Sequence, residues 1–354
     1  MHFLRRIRMN NFNDNTPEKQ HPLASNTIFK TAALLLMCLS IILSVLLFSS
    51  GGIITELEGS AESMSFYDEL DNLTYTLNSD TVSFVYSMPI VYTLPWNEEP
   101  APKPNPENFT DTTYEDETIS VKYWKERLYD SDAHFAEIKI AHPTQIRTML
   151  AGGKYNSNVR FIPETLARQC NAVVACNADF YAYRSGGIII RNDVVYRQSV
   201  LGWDVLLIDD AGDFHIMSDK KVKSSGILDE YHIVNSLHFG PSLVIDGKID
   251  YTNVNSGCGD EWNFIDSPRT AIGQIDELHY LICCVEGRTK TNRGVCVDEL
   301  AQVMYDHGCT QAYNLDGGQS TTIIFNRNAM NNPLWGGQRV MSDIIYFATA
   351  IPEE

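Results

Sequence analysis

The residues that could do chemistry lie in four short segments, in each of which an apolar run meets a tight turn. The segments are ACNADFYAY at 175–183, HFGPSLVIDGKI at 238–249, SPRTAIGQ at 267–274 and AYNLDGGQSTTIIF at 312–325. The turn of the last segment contains Asn314, Asp316, Gly317, Gly318, Ser320 and Thr321. Such a turn offers backbone N–H groups, a hydroxyl and a carboxylate, which suits a phosphate or an oxyanion. A plain hairpin turn is the competing interpretation, since Asp-Gly is a common hairpin signal.

Further polar and charged candidates lie in the other segments or just beyond them. They are Asn177 and Asp179 at the end of an apolar run, Arg269 before a strand, and Glu286 and Arg288 after the run LHYLICCV. A carboxylate can activate water, and a guanidinium can bind phosphate oxygens in bidentate fashion. Each also has a structural interpretation: Asp179 as a turn residue, Arg269 as an ion-pairing arginine, and Glu286 as the partner of Arg288.

Taken in their order along the chain, these segments resemble the phosphodiester glycosidase family. The matching pieces are residues 177–180, 239–241 with 246–247, PRTAIG at 268–273, EGR at 286–288, ELA at 299–301 and NLDGGQST at 314–321. The resemblance covers about residues 123–351, and it departs from the family pattern at Ala178-Asp179 and at Gln319. It implies an enzyme that hydrolyses a sugar-1-phosphodiester, of the N-acetylglucosamine type, at the glycosidic side.

The physical demands of that reaction suggest roles for the candidates. The leaving phosphate monoester is already acidic, so a cationic clamp and a carboxylate matter more than a strong general acid. We therefore expect Asp316 and Glu286 to be the catalytic carboxylates and Arg269 to be the catalytic phosphate clamp. The expected substrate-binding residues are Asn177, Asp179, Arg288, Asn314, Gly317, Gly318, Ser320 and Thr321. No cofactor is predicted, but Asp and Asn oxygens around a phosphate could hold a divalent cation, so metal binding is left open.

Aromatic side chains near the first segment could stack on a sugar ring. The candidates are Phe180, Tyr181, Tyr183 and Trp262. Aromatic residues on such strands also commonly belong to the core, so both interpretations stay open.

Charge and cysteine content exclude several classes of protein. There are 27 Lys and Arg residues against 45 Asp and Glu residues, which gives a net charge of -18. A nucleic-acid binder needs a basic surface, so no nucleic-acid partner is expected. The 8 cysteines include no CxxC pair, which argues against a zinc ribbon or a thioredoxin-like site.

An apolar segment near the N-terminus predicts a membrane anchor. Residues 31–50 carry no charge, and 20 residues of helix span roughly a 30 Å hydrocarbon core. Basic residues precede the segment and Glu56, Glu58 and Glu62 follow it, which orients the C-terminal part outward. We expect an uncleaved single-pass signal-anchor in the cell membrane with an extracytoplasmic C-terminal domain. A cleaved signal peptide and a buried core helix are the alternatives.

The rest of the chain predicts one domain behind a linker. The expected organisation is a cytoplasmic basic tail at 1–26, the transmembrane segment at 27–50, a stalk and proline-rich linker at 51–115, and the catalytic domain at 116–354. The prolines of residues 96–115 favour an extended spacer. Short apolar runs bounded by turn residues predict a strand-rich, mixed α/β (α+β) single domain with a mixed sheet. Its few helices include residues 163–170 and 295–308.

The sequence therefore predicts a membrane-anchored extracytoplasmic hydrolase that cleaves a sugar-1-phosphodiester in an envelope glycan or exopolysaccharide. Its expected partners are that glycan and the membrane. One alternative is a non-catalytic glycan- or phosphate-binding module for envelope biogenesis. Another is an envelope assembly protein in which residues 51–95 recruit a partner.

Overall fold

A computed structural model describes residues 93–96, 99–250 and 264–351 in full, together with the backbone of two strands at 73–78 and 81–86. The predicted tail at 1–26, the transmembrane segment at 27–50, most of the stalk and Trp262 lie outside the described residues. Among the residues that are described, no helix is long and apolar enough to cross a membrane. The chain divides into two compact units, Met1–Pro89 and Ile90–Glu354.

The described residues of the second unit are mostly strands, and two strands are described in the first. The first unit holds β1 (Leu73–Asn78) and β2 (Thr81–Tyr86), which pair antiparallel. The second holds β3 (Thr113–Glu115), β4 (Ile119–Leu128), β5 (Ser131–Ile140), β6 (Ile146–Leu150), β7 (Val174–Asn177), β8 (Ile188–Arg191), β9 (Val194–Gln198), β10 (Asp204–Asp209), β11 (Phe214–Ser218), β12 (Ile233–Leu237), β13 (Ser242–Ile245), β14 (Lys248–Ile249), β15 (Arg269–Asp276), β16 (His279–Val285), β17 (Gln311–Leu315), β18 (Ile323–Phe325), β19 (Asn328–Ala329) and β20 (Asp343–Phe347).

Four α-helices accompany the described strands: α1 (Pro163–Gln169), α2 (Asp219–Ser225), α3 (Ile227–Glu230) and α4 (Val297–Asp306). The two predicted helices are confirmed as α1 and α4. Helix α1 begins at Pro163, whose fixed φ suits a first helical position. The Glu299 side chain accepts a hydrogen bond from the Cys296 N–H and caps α4, and Gly308 follows the helix with φ of 84°.

Two large sheets enclose the main core. One has eight strands in the order β14-β13-β17-β15-β16-β5-β4-β3, and the other has five in the order β19-β18-β7-β20-β6. Apolar side chains from both sheets form one cluster, whereas α4 covers the outer face of the larger sheet and α1 that of the smaller. The strand-rich mixed α/β domain is thus confirmed. The predicted mixed sheet is wrong in one respect, because every pair of described strands is antiparallel.

Two smaller sheets, β11-β10-β12 and β8-β9, complete the second unit. Strand β9 is largely exposed, with Val195 54% accessible. Strands β10 and β12 are buried, and Ser236 of β12 donates its hydroxyl to the Ile188 carbonyl of β8. This contact attaches the β8-β9 hairpin to the body of the domain.

Three of the four chemistry-bearing segments meet at one end of the strands of the large sheet. Arg269 pairs with Val285, and Thr270 pairs with Leu315, so β15 begins where β16 and β17 end. Asn177, at the end of β7 in the second sheet, reaches the same strand ends. Its amide donates to the Asp316 carbonyl at 2.7 Å and accepts from the Thr270 hydroxyl at 2.8 Å.

The proline-rich segment, as far as it is described, packs on the domain and differs from the extended spacer that the sequence suggests. Leu94 and Ala101 are buried in the cluster under α1, and the Asn171 amide donates to the Ala101 carbonyl at 2.8 Å. The Arg147 guanidinium donates to the carbonyls of Leu94 and of the two residues that follow it. Residues 113–115 form β3, which extends the large sheet. Alternating prolines signal extended backbone but carry no information about what that backbone packs on.

Candidate active site

A shallow cleft with about 10 Å³ of free space opens where the two large sheets meet at these strand ends. Its walls come from the turn after β7, the turn after β17 and the segment before β20. The polar residues that line it are Asn177, Asp179, Tyr183, Asp316, Ser320, Arg339 and Ser342. The cleft therefore combines carboxylates, a hydroxyl, a guanidinium and an aromatic ring, which are the groups that a sugar phosphate requires.

The Asp316 carboxylate lines this cleft and is partly exposed. The Ser320 hydroxyl donates to its Oδ2 at 2.6 Å, and Nη1 of Arg339 lies 3.9 Å from the same oxygen. Burial raises the pKa of Asp316 to about 6, although the Ser320 hydrogen bond and the Arg339 charge oppose that rise. At neutral pH the side chain is therefore mostly ionised and can act as a base or a nucleophile.

Two glycines shape the turn that carries Asp316. A Cβ atom on Gly317 would lie 2.7 Å from the Pro268 carbonyl oxygen, and Gly318 has φ of 63°. The N–H of Gly318 donates to that same carbonyl at 2.9 Å, and the N–H groups of Ser320 and Thr321 donate to carbonyls within the turn. The expectation that this turn offers free N–H groups to a phosphate is therefore corrected for these three donors, because the protein itself uses them.

Arg339 is the cleft's cation, and the sequence reasoning missed it. Its side chain is 42% exposed, and Nη1 donates to the Ser320 hydroxyl oxygen at 3.4 Å. Its guanidinium carbon lies 5.4 Å from the centre of the Tyr183 ring, and that of Arg160 lies 5.5 Å from the same ring. Neither arginine belongs to a motif or flanks a turn with other polar residues. Nothing in their spacing could have placed them beside Asp316.

Arg269, the expected phosphate clamp, is not among the residues that line the cleft. It is 3% exposed, and its guanidinium donates to the carbonyls of Val295 at 3.2 Å and Ile265 at 3.0 Å. These contacts hold the backbone near the start of β15, and the predicted clamp role stays a prediction. Arg288 is exposed and donates to the Ser267 hydroxyl, and it does not line the cleft either.

Glu286, the second expected catalytic carboxylate, is buried in a hydrogen-bond network of its own. Its Oε1 lies 3.0 Å from Nε2 of His134 and accepts from the Asn332 N–H at 2.7 Å, and its Oε2 accepts from the Asn292 amide at 2.8 Å. Burial raises its pKa, but the His134 and Asn332 hydrogen bonds outweigh that effect and hold the pKa below its usual range. These partners contact both oxygens, and Glu286 does not line the cleft. Its expected catalytic role stays a prediction.

Asp179 lines the cleft, but its oxygens are paired with arginines. Oδ2 lies 3.0 Å from Arg184 and Oδ1 lies 3.2 Å from Arg191, while the Tyr181 and His238 N–H groups also donate to the carboxylate. Burial raises its pKa, but the two guanidinium charges outweigh burial and hold the pKa below its ordinary value. In this structure Asp179 forms a buried ion pair at the cleft, and its expected contact with substrate stays a prediction.

Three other expected substrate ligands are buried and do not all have protein partners. The Asn177 side chain bonds Asp316, Thr270 and the Thr322 N–H, so its amide is occupied. The Asn314 amide nitrogen donates to the Gly240 carbonyl at 2.7 Å, and its Oδ1 is buried with no hydrogen-bond partner among the described residues. The Thr321 hydroxyl is likewise buried, without such a partner in the described part of the chain. Of the turn residues, Ser320 and Asp316 alone line the cleft.

Metal binding is not decided by this geometry. In the part of the chain that the structure describes, no group of three His, Cys, Asp or Glu side chains is arranged to hold a metal ion. The described cysteines are free thiols, and all of them except Cys296 are buried. A divalent cation at the phosphate site stays a prediction.

The domain is thus built of two packed sheets, with a cleft in which the Asp316 carboxylate lies beside an arginine. The family model described as "Phosphodiester glycosidase" matches residues 170–348, about half of the chain. The chain belongs to the phosphodiester glycosidase family. The predicted resemblance is thus confirmed.

Individual relatives are distant. The chain is 27% identical over 189 residues to the SPbeta prophage-derived uncharacterized protein YomE of Bacillus subtilis (strain 168), a match that spans 51% of this chain and 28% of that protein. The zebrafish N-acetylglucosamine-1-phosphodiester alpha-N-acetylglucosaminidase catalytic domain, solved in a form auto-inhibited by its pro-peptide, superposes with a TM-score of 0.52 and 21% identity. That match covers 71% of this chain and 88% of the zebrafish domain.

A hypothetical protein from Synechocystis gives the same TM-score of 0.52 at 13% identity, over 65% of this chain and 62% of that one. At these identities the two solved structures establish the fold. The chain spans little more than a quarter of the length of its curated relative, so the activity of a whole protein is not transferred from it.

Proposed function

We propose that this protein is an extracytoplasmic hydrolase that cleaves a sugar-1-phosphodiester, of the N-acetylglucosamine type, in an envelope glycan or exopolysaccharide. Membership of the phosphodiester glycosidase family supports the reaction class. The observation that carries the proposal is the cleft carboxylate Asp316, oriented by Ser320 and placed 3.9 Å from the Arg339 guanidinium. A carboxylate next to a cation is what hydrolysis beside a phosphate requires.

In this proposal Asp316 acts on the anomeric carbon of the sugar. Its ionised oxygen either accepts a proton from an attacking water or attacks C1 directly and is later displaced by water. In both routes the bond between C1 and the bridging oxygen breaks, and its electron pair leaves with the phosphate monoester. Because that leaving group is acidic, a single accessible carboxylate suffices. The Ser320 hydroxyl keeps the carboxylate in one orientation.

Arg339 holds the phosphate in this proposal. Its guanidinium is partly exposed at the cleft and can offer two N–H groups to two phosphate oxygens. The positive charge also stabilises the negative charge that develops on the leaving oxygen. Tyr183, 52% exposed and positioned under Arg339 and Arg160, gives the sugar an apolar surface beside the phosphate.

The setting of the enzyme is part of the proposal and rests on the N-terminal sequence. The uncharged residues 31–50, with basic residues before them, support a single-pass anchor and an outward domain. A fusion of alkaline phosphatase to the C-terminus of the full chain tests this in a bacterial host. Active phosphatase is expected, because that enzyme needs an oxidising compartment, whereas an inactive but stable fusion would contradict the orientation.

The reaction is tested with the full-length chain and N-acetylglucosamine-1-phosphate methyl diester. Release of free sugar and methyl phosphate is followed with and without divalent cations, for the wild type and for Asp316→Asn. Turnover by the wild type that Asp316→Asn abolishes supports the proposal. Absence of turnover on this diester and on other hexose-1-phosphodiesters contradicts it.

A second candidate is a non-catalytic glycan- or phosphate-binding module. The observation that favours it is the commitment of Glu286, Asp179 and Arg269 to contacts within the protein. The two candidates differ in what Asp316→Asn does. If the wild type binds the diester without cleaving it, and the variant binds equally well, the module is the better description.

A further inference from the structure

Two arginines lie over one exposed tyrosine ring at the cleft. Tyr183 is 52% exposed and lines the cleft together with Arg339. The guanidinium carbon of Arg339 lies 5.4 Å from the centre of this ring, and that of Arg160 lies 5.5 Å from the same point. The two guanidinium groups are therefore no farther apart than these two distances together, and Arg160 brings a second positive charge close to the cleft.

The backbone holds these two arginines on neighbouring segments. Phe161, the residue after Arg160, forms an isolated antiparallel bridge with Met341. The two residues exchange backbone hydrogen bonds of 3.2 and 2.8 Å. Met341 itself lines the cleft, and Arg339 lies two residues before it. The segment that carries Arg160 is therefore fixed to a wall of the cleft.

The Arg160 guanidinium has one edge that can bind a ligand. Its Nη1 donates to the carbonyls of Ser157 and Val159, each at 2.6 Å. Its Nε and Nη2 groups donate to no acceptor in the described part of the chain. The N–H groups along such an edge can hold two oxygens of a phosphate or a carboxylate at once. Because the two carbonyls already orient the guanidinium, little side-chain entropy is lost when a ligand binds.

The positive charge of Arg160 is not neutralised by a neighbouring acid of the described chain, although the protein has 45 Asp and Glu residues against 27 Lys and Arg residues. Arg168, by contrast, lies 2.6 Å from Glu164. The carboxylate nearest to Arg339 is that of Asp316, at 3.9 Å. Two cations over one ring, with a single carboxylate beside them, form a local positive field that attracts anionic groups.

The small size of the cleft leaves most of a substrate in contact with its rim. The free space of about 10 Å³ corresponds to about one water molecule. A sugar phosphate that reaches Asp316 therefore lies across the cleft, and its other groups rest on the surrounding side chains. With the scissile phosphate at Arg339, the free edge of Arg160 is available to another group of the same substrate.

We propose that Arg160 binds a second anionic group of the substrate, a phosphate or a carboxylate close to the scissile phosphodiester, and so selects polyanionic glycans. A net charge of -18 repels a polyanion from most of the protein surface, and the two arginines at the cleft offset that repulsion where the reaction occurs. The inference rests on the proposed function, because it takes Arg339 as the site of the scissile phosphate. It goes beyond that function by assigning a second charge to the substrate and a residue that recognises it.

The test compares four diesters that share N-acetylglucosamine-1-phosphate. The reference diester has glycerol as its second alcohol and carries no further charge. Two others add a phosphate monoester, either on the free primary hydroxyl of the glycerol or on the 6-hydroxyl of the N-acetylglucosamine, and the fourth has glycerate in place of glycerol. The readout is kcat/KM for each charged diester divided by kcat/KM for the reference. The charged diesters show on which side the second anion lies and whether it is a phosphate or a carboxylate.

Four full-length proteins are compared. They are the wild type, Arg160→Gln, Arg160→Lys and Arg327→Gln. The lysine variant keeps the charge but loses the planar edge that holds two oxygens. Arg327 is the matched control, because it does not line the cleft and, like Arg160, forms no ion pair with a described carboxylate.

We expect the wild type to prefer at least one charged diester about tenfold, the effect of hydrogen bonds to a charged group at a partly exposed site. Arg160→Gln should lower that ratio to about 1 and change kcat/KM for the reference diester less than about twofold. Arg160→Lys should keep part of the preference, and Arg327→Gln all of it. A wild-type ratio near unity for all three charged diesters overturns the inference. So does a preference that Arg160→Gln leaves unchanged, or an equal loss on all four diesters.

Failure of the proposed function is separable from failure of this inference. If the wild type cleaves none of the diesters, their binding to the same four proteins is measured by isothermal titration calorimetry. Tighter binding of a charged diester than of the reference, weakened about tenfold by Arg160→Gln, supports the second anion site without catalysis. Binding of the charged diesters that is equal in the wild type and Arg160→Gln, or absent from the wild type, overturns it.

Discussion

At the scale of single residues, Asp316 and Asp179 show how contacts decide which carboxylate can react. Both line the cleft. Asp179 meets two buried guanidinium groups and two backbone N–H groups, so its negative charge is neutralised in place. Asp316 accepts one short hydrogen bond from Ser320 and lies 3.9 Å from a partly exposed Arg339. Asp316 is therefore the side chain with an oxygen available for a substrate.

The pKa of Asp316 predicts an acidic limit to activity. Burial raises this pKa to about 6, so the reactive carboxylate becomes protonated as the pH falls through that value. We expect kcat/KM to fall about tenfold per pH unit below pH 6. Ser320→Ala removes a hydrogen bond that favours the ionised form, so it should shift the midpoint to higher pH. A pH–rate profile that stays flat to pH 5 would contradict this assignment.

Arg339 is expected to bind the phosphate of the substrate. Arg339→Gln is expected to lower kcat/KM about 10- to 100-fold. A hydrogen bond to a charged group contributes roughly 1.5–3 kcal/mol, which corresponds to that loss. Arg288→Gln is the matched control, since Arg288 is also exposed but does not line the cleft, and its effect should stay below about twofold. Steady-state kinetics on the methyl diester measures both. If the two substitutions lower kcat/KM equally, Arg339 does not bind the phosphate.

The sequence predicts site residues well where one turn supplies them and poorly where distant segments meet. Asp316, Ser320 and the two glycines lie within five residues, so their motif is visible in the chain. Arg269 belongs to the motif PRTAIG and Arg339 to no motif, so only the fold shows that Arg339 lines the cleft. Arg269 is buried at the start of β15, a central strand of the larger sheet, whereas Arg339 reaches the cleft because the segment before β20 passes over Ser320.

At the scale of elements, the turn between β17 and β18 depends on Gly317. A methyl group at this position would come within 2.7 Å of the Pro268 carbonyl, at the start of β15. We expect Gly317→Ala to lower the free energy of unfolding by about 1–3 kcal/mol and to impair activity by displacing Asp316. Gly337→Ala is the control, because nothing lies within 4 Å of its added carbon and its φ of -162° suits any residue.

Urea unfolding of the two alanine variants measures this difference. A loss of stability in Gly317→Ala alone is the expected result. Equal stability of both variants would mean that the contact between the turn and Pro268 relaxes without cost, and the turn would no longer be a rigid support for Asp316.

The helices could be predicted from sequence because their signals are local. Helix α1 has a proline at its first turn, and α4 combines helical spacing of apolar residues with a glycine after its end. The order of strands could not be predicted. Strand β15 pairs with β17, which lies beyond β16 and α4 in the chain, and such pairing depends on complementary faces that no short window contains.

At the scale of the whole molecule, a buried ion network connects separate parts of the domain. Arg191 of β8 lies 3.2 Å from Asp179 after β7 and 2.7 Å from Asp343 of β20. Removing the cation leaves the buried Asp343 without its guanidinium partner and leaves Asp179 with Arg184 alone. We expect Arg191→Leu to lower the free energy of unfolding by about 3–5 kcal/mol. Lys125→Met, which breaks an exposed pair with Asp132, should cost less than about 1 kcal/mol.

Chemical denaturation of these two variants at pH 7 checks the difference. Because the stranded groups are acids, the Arg191→Leu deficit should shrink as the pH is lowered toward 5 and the carboxylates become protonated. A deficit that does not depend on pH would show that lost packing, rather than unpaired charge, explains the destabilisation.

The packing of the proline-rich segment predicts where a stable fragment begins. Tyr114 of β3 is 1% exposed in the main core, and Leu94 and Ala101 are buried under α1. A chain that starts at Ile90 should keep the melting temperature of the full protein. A chain that starts at residue 116 should melt about 10 °C lower or fail to fold, since each large side chain removed contributes roughly 1.5–3 kcal/mol.

Differential scanning calorimetry of the two fragments tests this boundary. If the two fragments melt at similar temperatures, the proline-rich segment is only a spacer, as its prolines alone suggest.

The central claim, that Asp316 hydrolyses a sugar-1-phosphodiester, is tested most directly by sugar release from N-acetylglucosamine-1-phosphate methyl diester. The matched control for Asp316→Asn is Asp246→Asn, at a turn aspartate with φ of 50° that asparagine adopts readily. We expect the wild type and Asp246→Asn to turn over alike and Asp316→Asn to lose about 10²–10⁴-fold in kcat. Equal turnover by Asp316→Asn, or none by the wild type on any sugar-1-phosphodiester, would contradict the claim.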